Sequence, residues 1–222
     1  MTKLPPASHT FHTSWGQCPR KAWHSHIARD IERVDSKELA WGRRVHEALE
    51  QHIAKGVPLP DAIKHYTDLY RFPRGYCLLA ELKLGMTEQM EQCGFFADDC
   101  FARGVIDVVV LPNEMLPTSA VIIDHKTGKV REDPGELEFH ALLLRVKHPK
   151  LTSIKGWYNW LAYNRMGRVH ELSDTEKTFQ HLKQTHDRIR QAFKLGAEAF
   201  PPRQGPLCGW CPVKQCEYNP CK

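Results

Sequence analysis

The chain has 222 residues, of which 41% are hydrophobic and 26% charged, and a net charge of +5 from 31 Lys and Arg against 26 Asp and Glu. That is enough chain for one domain with a sizeable core, and no apolar run approaches the roughly 18 residues of a membrane-spanning helix, so a helical membrane protein is excluded. The start, MTKLPPASHTFHTSWGQ, has no apolar signal-peptide segment, so the expected compartment is the cytoplasm.

In chain order, the first periodic segment is Ser36 to Ala54. Val45, Leu49 and Ile53 recur on one face and Arg43, Arg44, Glu47 and Glu50 on the other, which predicts a helix carrying His46 beside its apolar stripe. A second helical stretch is expected near Asp61 to Tyr70, followed by a strand in RGYCLLAELKLGM. CFARGVIDVVVL and SAVIIDHKTG are short β-branched runs closed by Pro112-Asn113 and Thr127-Gly128, and they predict neighbouring strands. Pro134 fits the first turn of a helix that continues through Leu137, Ala141 and Leu144 until Pro149 forbids it. LTSIKGWYNWLAYNRMGRVHELS predicts two strands with a turn at Asn164 to Gly167. A last helix, capped by Ser173 or Asp174, is expected to run to Ala199, where Pro201-Pro202 stops it.

Eight cysteines in a reducing compartment point away from disulfides. Cys77, Cys93 and Cys100 sit in or beside apolar runs and read as core fillers. Cys208, Cys211 and Cys216 crowd the C-terminal end, Cys18 stands alone near the start, and Cys221 is an alternative to Cys216. Four such thiolates suit a tetrahedral zinc ion or a [4Fe-4S] cluster, and spacing alone leaves the two even.

Asp124 and Lys126 are two residues apart on a strand and so face the same side, and Asp107 can join them from the adjacent strand. Asp-x-Lys alone is common. Here it ends a strongly apolar strand, with another acid at strand-pair distance, and such a set can hold a hard cation while the ammonium group faces a phosphate. Basic and aromatic residues that could track a nucleic acid are Arg20, Lys21, Trp23 and His24, then Trp41, Arg43 and Arg44, then Lys155, Trp157, Tyr158 and Trp160.

Together, GRRVHEALE, GVIDVVV, IIDHKTGK and CGWCPVKQC resemble the PD-(D/E)XK nuclease superfamily, and within it the RecB-like branch of iron-sulfur CRISPR-associated exonucleases and their phage relatives. The resemblance runs from Cys18 to Cys216. It implies an α/β, restriction-endonuclease-like fold: a central mixed sheet flanked by helices, in a single domain over 1–222. An iron-sulfur lobe would join the N- and C-terminal segments, about 1–30 and 200–222. By motif, His46, Asp107, Asp124 and the backbone carbonyl of His125 bind Mg²⁺ or Mn²⁺, Lys126 is the catalytic lysine, and Cys18, Cys208, Cys211 and Cys216 hold a [4Fe-4S] cluster. The family carries a glutamine and a tyrosine four residues apart on the helix after the lysine strand. This chain departs from that pattern with Glu136 and His140, which with Glu81 are secondary candidates.

The activity implied is metal-dependent exonucleolytic cleavage of single-stranded DNA or DNA ends, 5′ to 3′, in recombination, repair or CRISPR-related processing. The expected company is DNA, with a second copy of the chain or a recombination or CRISPR-adaptation partner. The contrasting reading is a non-catalytic DNA-binding adaptor holding an iron-sulfur cluster or zinc.

Overall fold

The structure is a computed structural model that describes residues 3–31, 36–70, 72, 74–112 and 116–220. In chain order its elements begin with helices α1 (His9–Gln17) and α2 (Pro19–Ala22), the second continuing as a π-helical turn, Trp23–Ala28. Helix α3 (Lys37–Lys55) and a 3₁₀ helix (Asp61–Tyr70) follow, then strands β1 (Tyr76–Met86), β2 (Gln92–Cys93), β3 (Ala102–Pro112) and β4 (Ser119–Lys126). After helix α4 (Gly135–Lys147) come β5 (Ser153–Trp160), β6 (Arg165–Met166), β7 (His170–Glu171) and helix α5 (Thr175–Leu195). The chain divides into two compact units, one built from Met1–Val34 with Phe179–Lys222 and the other from Asp35–Thr178.

The 35–178 unit is a mixed sheet flanked by helices. Its strand order is β2-β1-β3-β4-β5-β6, with β7 also paired to β5. The pair β4–β5 is parallel and the others are antiparallel. Helix α4 is the crossover between the parallel strands, and it buries nearly its whole circumference (Leu137, Phe139, His140, Ala141, Leu142, Leu143, Leu144) against β1, β3, β4 and β5. Helix α3 starts on the Ser36 side chain, which accepts the Leu39 amide, and stops at Gly56 with φ +69°. Its predicted apolar stripe splits between two clusters. Val45 and Leu49 pack with Leu59, Ile63, Tyr66 and Leu161, while Ile53 packs against Val108, Val110 and Ile123 of the sheet.

Gly104, which opens the GVID segment, lets α4 approach. A Cβ there would stand 3.0 Å from both Leu143 Cδ1 and Phe139 Cε1. Gly104→Val therefore overpacks a closed interface, and a loss of about 1–3 kcal/mol is expected, read as a melting temperature lower by roughly 3–10 °C.

Several expectations need correction. Helix α5 ends at Gly196, whose φ is +93°, and a separate 3₁₀ turn (Ala197–Ala199) intervenes before the proline pair, so glycine rather than Pro201 stops it. The second strand of the 151–173 segment is broken into β6 and β7, because the chain turns at Asn164 (φ +45°) and Gly167 then comes back to donate to the Tyr158 carbonyl at 2.7 Å. Cys77 is exposed at the start of β1 instead of filling the core, Cys93 is half-buried, and Cys100 is buried. Tyr158 and Trp160 are 3% and 2% exposed, and Trp157 is half-buried with its indole N–H on Asn159, since β5 has strands on both sides and helices over it. These aromatics are core, not a nucleic-acid track, and Lys155 pairs with Glu171 at 3.1 Å.

The other unit packs Phe11, Ala22, Ile27, Ile189, Ala192 and Phe200 around Trp15 and Trp23. Helices α1 and α2 have capping signals, Ser8 accepting the Phe11 amide and Pro19 in a first turn, but no apolar periodicity. A histidine pair joins α1 to α5, His12 Nε2 lying 3.2 Å from His186 Nδ1 with the ring planes nearly parallel. Burial, with His186, His181 and His9 nearby, pushes His12 down to about 3. A histidine held neutral in the fold gives its full stability above pH 6.5, and that stability falls as protons bind the unfolded chain between 6.5 and 3. The expected loss is about 1.4 kcal/mol per pH unit in that window. Thermal melts at pH 7 and pH 5 check it: the wild type should lose more than His12→Gln, which has no proton to take up.

Candidate active site

Strand register explains which acids meet. In the β1–β3 ladder Ala80 pairs with Val108 and Leu82 with Ile106, which leaves Glu81 opposite Asp107. Glu81 has φ +48°, a left-handed conformation that costs a non-glycine residue about 1–3 kcal/mol and that clusters at functional sites. Helix α3 brings His46 to the same place. His46, Glu81 and Asp107 each offer one ligand atom, all within 4.8 Å of one another. They lie in a cleft of about 560 Å³ whose walls include Arg43, Glu47 and Glu50 of α3, with Thr127 after β4.

Asp107 is tied from two sides. Its Oδ2 accepts the His125 backbone N–H at 2.7 Å and stands 3.6 Å from His46 Nδ1. Burial works to raise its pKa, but His46 and His125 outweigh this and hold it at about 2. Burial likewise opposes charge on His46, yet Asp107, with Asp124 and Glu81 behind it, raises the ring above its usual value. Burial pushes the His125 ring down to about 4, and that ring lies edge-on to His46.

The β4 pair forms a second cluster beside the first. Lys126 Nζ lies 2.6 Å from Asp124 Oδ2 and 2.6 Å from Glu136 Oε2, and the Tyr158 ring lies 5.5 Å away. Burial disfavours the ammonium, but the two carboxylates dominate and raise its pKa, so Lys126 stays a cation. Asp124 is 3% exposed, and burial with the Asp107 charge pushes it well above the ordinary carboxylate range against the pull of Lys126.

Thus His46 and Asp107 come together as expected, and Asp124 with Lys126 likewise. Among the described residues, however, the three-ligand group contains Glu81 and not Asp124. Glu136 reaches the site through Lys126. His140, four residues on, is buried beside Gly104, where its Cδ2 would lie 3.5 Å from a Cβ.

Residues 74–216 match the sequence model of the PD-(D/E)XK nuclease superfamily. The chain belongs to the PD-(D/E)XK nuclease superfamily. A comparison with curated proteins finds no match. Among solved structures the chain is similar to SSO0001, with 14% identity, 94% of this chain and 85% of that chain covered, and a TM-score of 0.47. PD-(D/E)XK membership makes this a metal-dependent nuclease, and the donor set suits a divalent ion. Burial and the neighbouring Asp107 charge raise both Glu81 and Asp124, and a carboxylate-rich donor set matches Mn²⁺ or Mg²⁺.

The unit holding both chain ends carries a second constellation in this PD-(D/E)XK protein. Cys18, Cys208, Cys211 and Cys216 line one cavity of about 370 Å³. Cys18 Sγ accepts the Arg203 N–H and Cys208 Sγ the Gly205 N–H, each at 3.4 Å. Asn219 braces the loop by donating to the Cys211 and Val213 carbonyls. Cys221 lies outside the described residues.

Proposed function

We propose that the protein is a metal-dependent DNA exonuclease acting on single strands or DNA ends in the 5′ to 3′ direction, in recombination, repair or CRISPR-related processing. The observation that carries the catalytic part is the adjacency of His46, Glu81 and Asp107 to a lysine held between two carboxylates. His46, Glu81 and Asp107 would hold the cation, with Asp124 at its edge, and the His125 amide fixes the Asp107 carboxylate in place. When bound, a divalent ion supplies an acidified water and neutralises charge developing on the phosphate. Lys126 presents a permanent positive charge to the same phosphate, and Asp124 and Glu136 restrict its rotamers so that little reorganisation is needed. Arg43, one turn before His46 on α3, adds a cation to the cleft wall.

The four-cysteine cavity is read as a [4Fe-4S] site. Spacing alone leaves zinc and an iron-sulfur cluster even, and the resemblance of the cysteine pattern to the iron-sulfur branch favours the cluster. Its role is structural, a staple between residue 18 and the residues from 208 onward.

The test uses DNA labelled separately at its 5′ and 3′ ends, with Mn²⁺, Mg²⁺ and no metal. The expected result is early release of labelled mononucleotide from the 5′ label, only with metal. Internal fragments from both labels would make the enzyme an endonuclease, and no cleavage under any metal would leave the binding-adaptor reading. Iron and zinc content of anaerobically purified protein decides the cluster.

A further inference from the structure

The charge of the chain is unevenly divided. Residues 1–34 and 179–222 carry 12 Lys and Arg against 5 Asp and Glu, a balance of +7, whereas residues 35–178 carry 19 against 21, a balance of −2. The unit with the His46, Glu81 and Asp107 cleft is therefore slightly acidic, and its cleft wall adds Glu47 and Glu50 to those acids. A polyanion is attracted instead to the unit that holds the four cysteines.

That unit also presents an aromatic surface. Trp210 is 82% exposed, and Leu207 and Tyr218 beside the same cavity are exposed too. Tryptophan is normally among the more buried residues, and an indole left in water between two cluster-cavity cysteines stabilises nothing in the unit's own core. Lys21 and Arg203 line the same cavity, and Lys214 is exposed in the loop between Cys211 and Cys216. Exposed rings interleaved with lysine and arginine are the means by which single-stranded nucleic acid is held without regard to sequence, the ring stacking on a base while the cations meet phosphates.

We propose that the four-cysteine unit is a binding surface for single-stranded DNA, with Trp210 as the base-stacking platform and Lys21, Arg203 and Lys214 as phosphate contacts. The assignment deepens the nuclease reading and rests on it for the identity of the polymer. The exposed Trp210 ring on a unit with a balance of +7 argues for nucleic acid over a protein partner, because stacking ring and excess cations together suit a polyanion.

The experiment measures binding of a fluorescein-labelled oligothymidylate to the full, anaerobically purified chain by anisotropy, in EDTA so that nothing is cleaved, over a range of salt. Trp210→Ala should bind roughly 5- to 100-fold more weakly, the range that one base–aromatic stack supplies, and Trp210→Phe should recover most of the loss. Lys214→Glu should reduce the slope of log affinity against log salt by about one or more phosphate contacts. An affinity of Trp210→Ala within twofold of wild type overturns the proposal, as does an unchanged salt slope in Lys214→Glu. An unaltered DNA affinity together with a changed oligomeric state overturns it in favour of a protein interface. Wild-type protein that binds the oligonucleotide but never degrades it on addition of Mn²⁺ refutes the nuclease reading alone and leaves the binding result standing.

Discussion

Asp107→Asn is expected to lower Mn²⁺-dependent DNA cleavage by about 10²- to 10³-fold, the loss that follows removal of one charge-stabilising group from a prepared site, while leaving the melting temperature within a few degrees of wild type. Asparagine has the size and the carbonyl oxygen needed to accept the 2.7 Å hydrogen bond from the His125 amide, so the β3–β4 contact survives. The negative charge that would hold a cation and that raises the His46 pKa does not. Two further readings follow from the same geometry. Mn²⁺ affinity, measured by calorimetry, should fall in parallel with the rate, and Glu81→Gln should show the same pattern because Glu81 belongs to the ligand group. Asp98→Asn, on the loop before β3, is the control. If Asp107→Asn retains full activity with unchanged metal affinity, the cation is held elsewhere.

The second large effect is expected at Cys18. If the four cysteines hold a metal as proposed, Cys18→Ser should empty the site and lower the stability of the unit containing it by on the order of 5 kcal/mol, because the lost link would close a loop of about 190 residues and loop-closure entropy grows with the logarithm of length. Metal analysis of the purified variant and a thermal melt measure both parts. Cys77→Ser is the matched control, an exposed thiol at a strand end, and should fall within about 0.5 kcal/mol of wild type. A Cys18→Ser protein that keeps its full metal content would remove the remote cysteine from the ligand set.

The strands β1, β3 and β4 and the helices α3 and α4 are legible in the sequence because their apolar patterns are strong and their ends are marked by Ser36, Pro112 and Pro149. His46, Asp107, Asp124 and Lys126 are legible because each closes or interrupts such a run. Glu81 is harder to rank. A single acid inside an apolar strand gains meaning only from register, and its place opposite Asp107 depends on a ladder that no local pattern encodes. The Lys155 to Trp160 segment misleads for a related reason: alternating aromatic and polar residues look like an open surface, but β5 lies inside the sheet. Helices α1 and α2 escape because HTFHTSWGQ and PRKA are packed by aromatic and histidine contacts with residues near position 190, far away in sequence.

Because one compact unit draws on both ends of the chain, its assembly is ordered in time. During synthesis the 35–178 segment is complete before residues 179–222 are added, a delay of roughly 2–9 s at 5–20 residues per second. Through that interval the α1–α2 arm has no Ile189, Ala192 or Phe200 to cover Phe11 and Ile27, and Cys18 has no companion thiols. Until residues 179–222 emerge, the apolar face of the α1–α2 arm therefore stays without its cover, and that interval is when a chaperone that shelters apolar surface would have most to act upon.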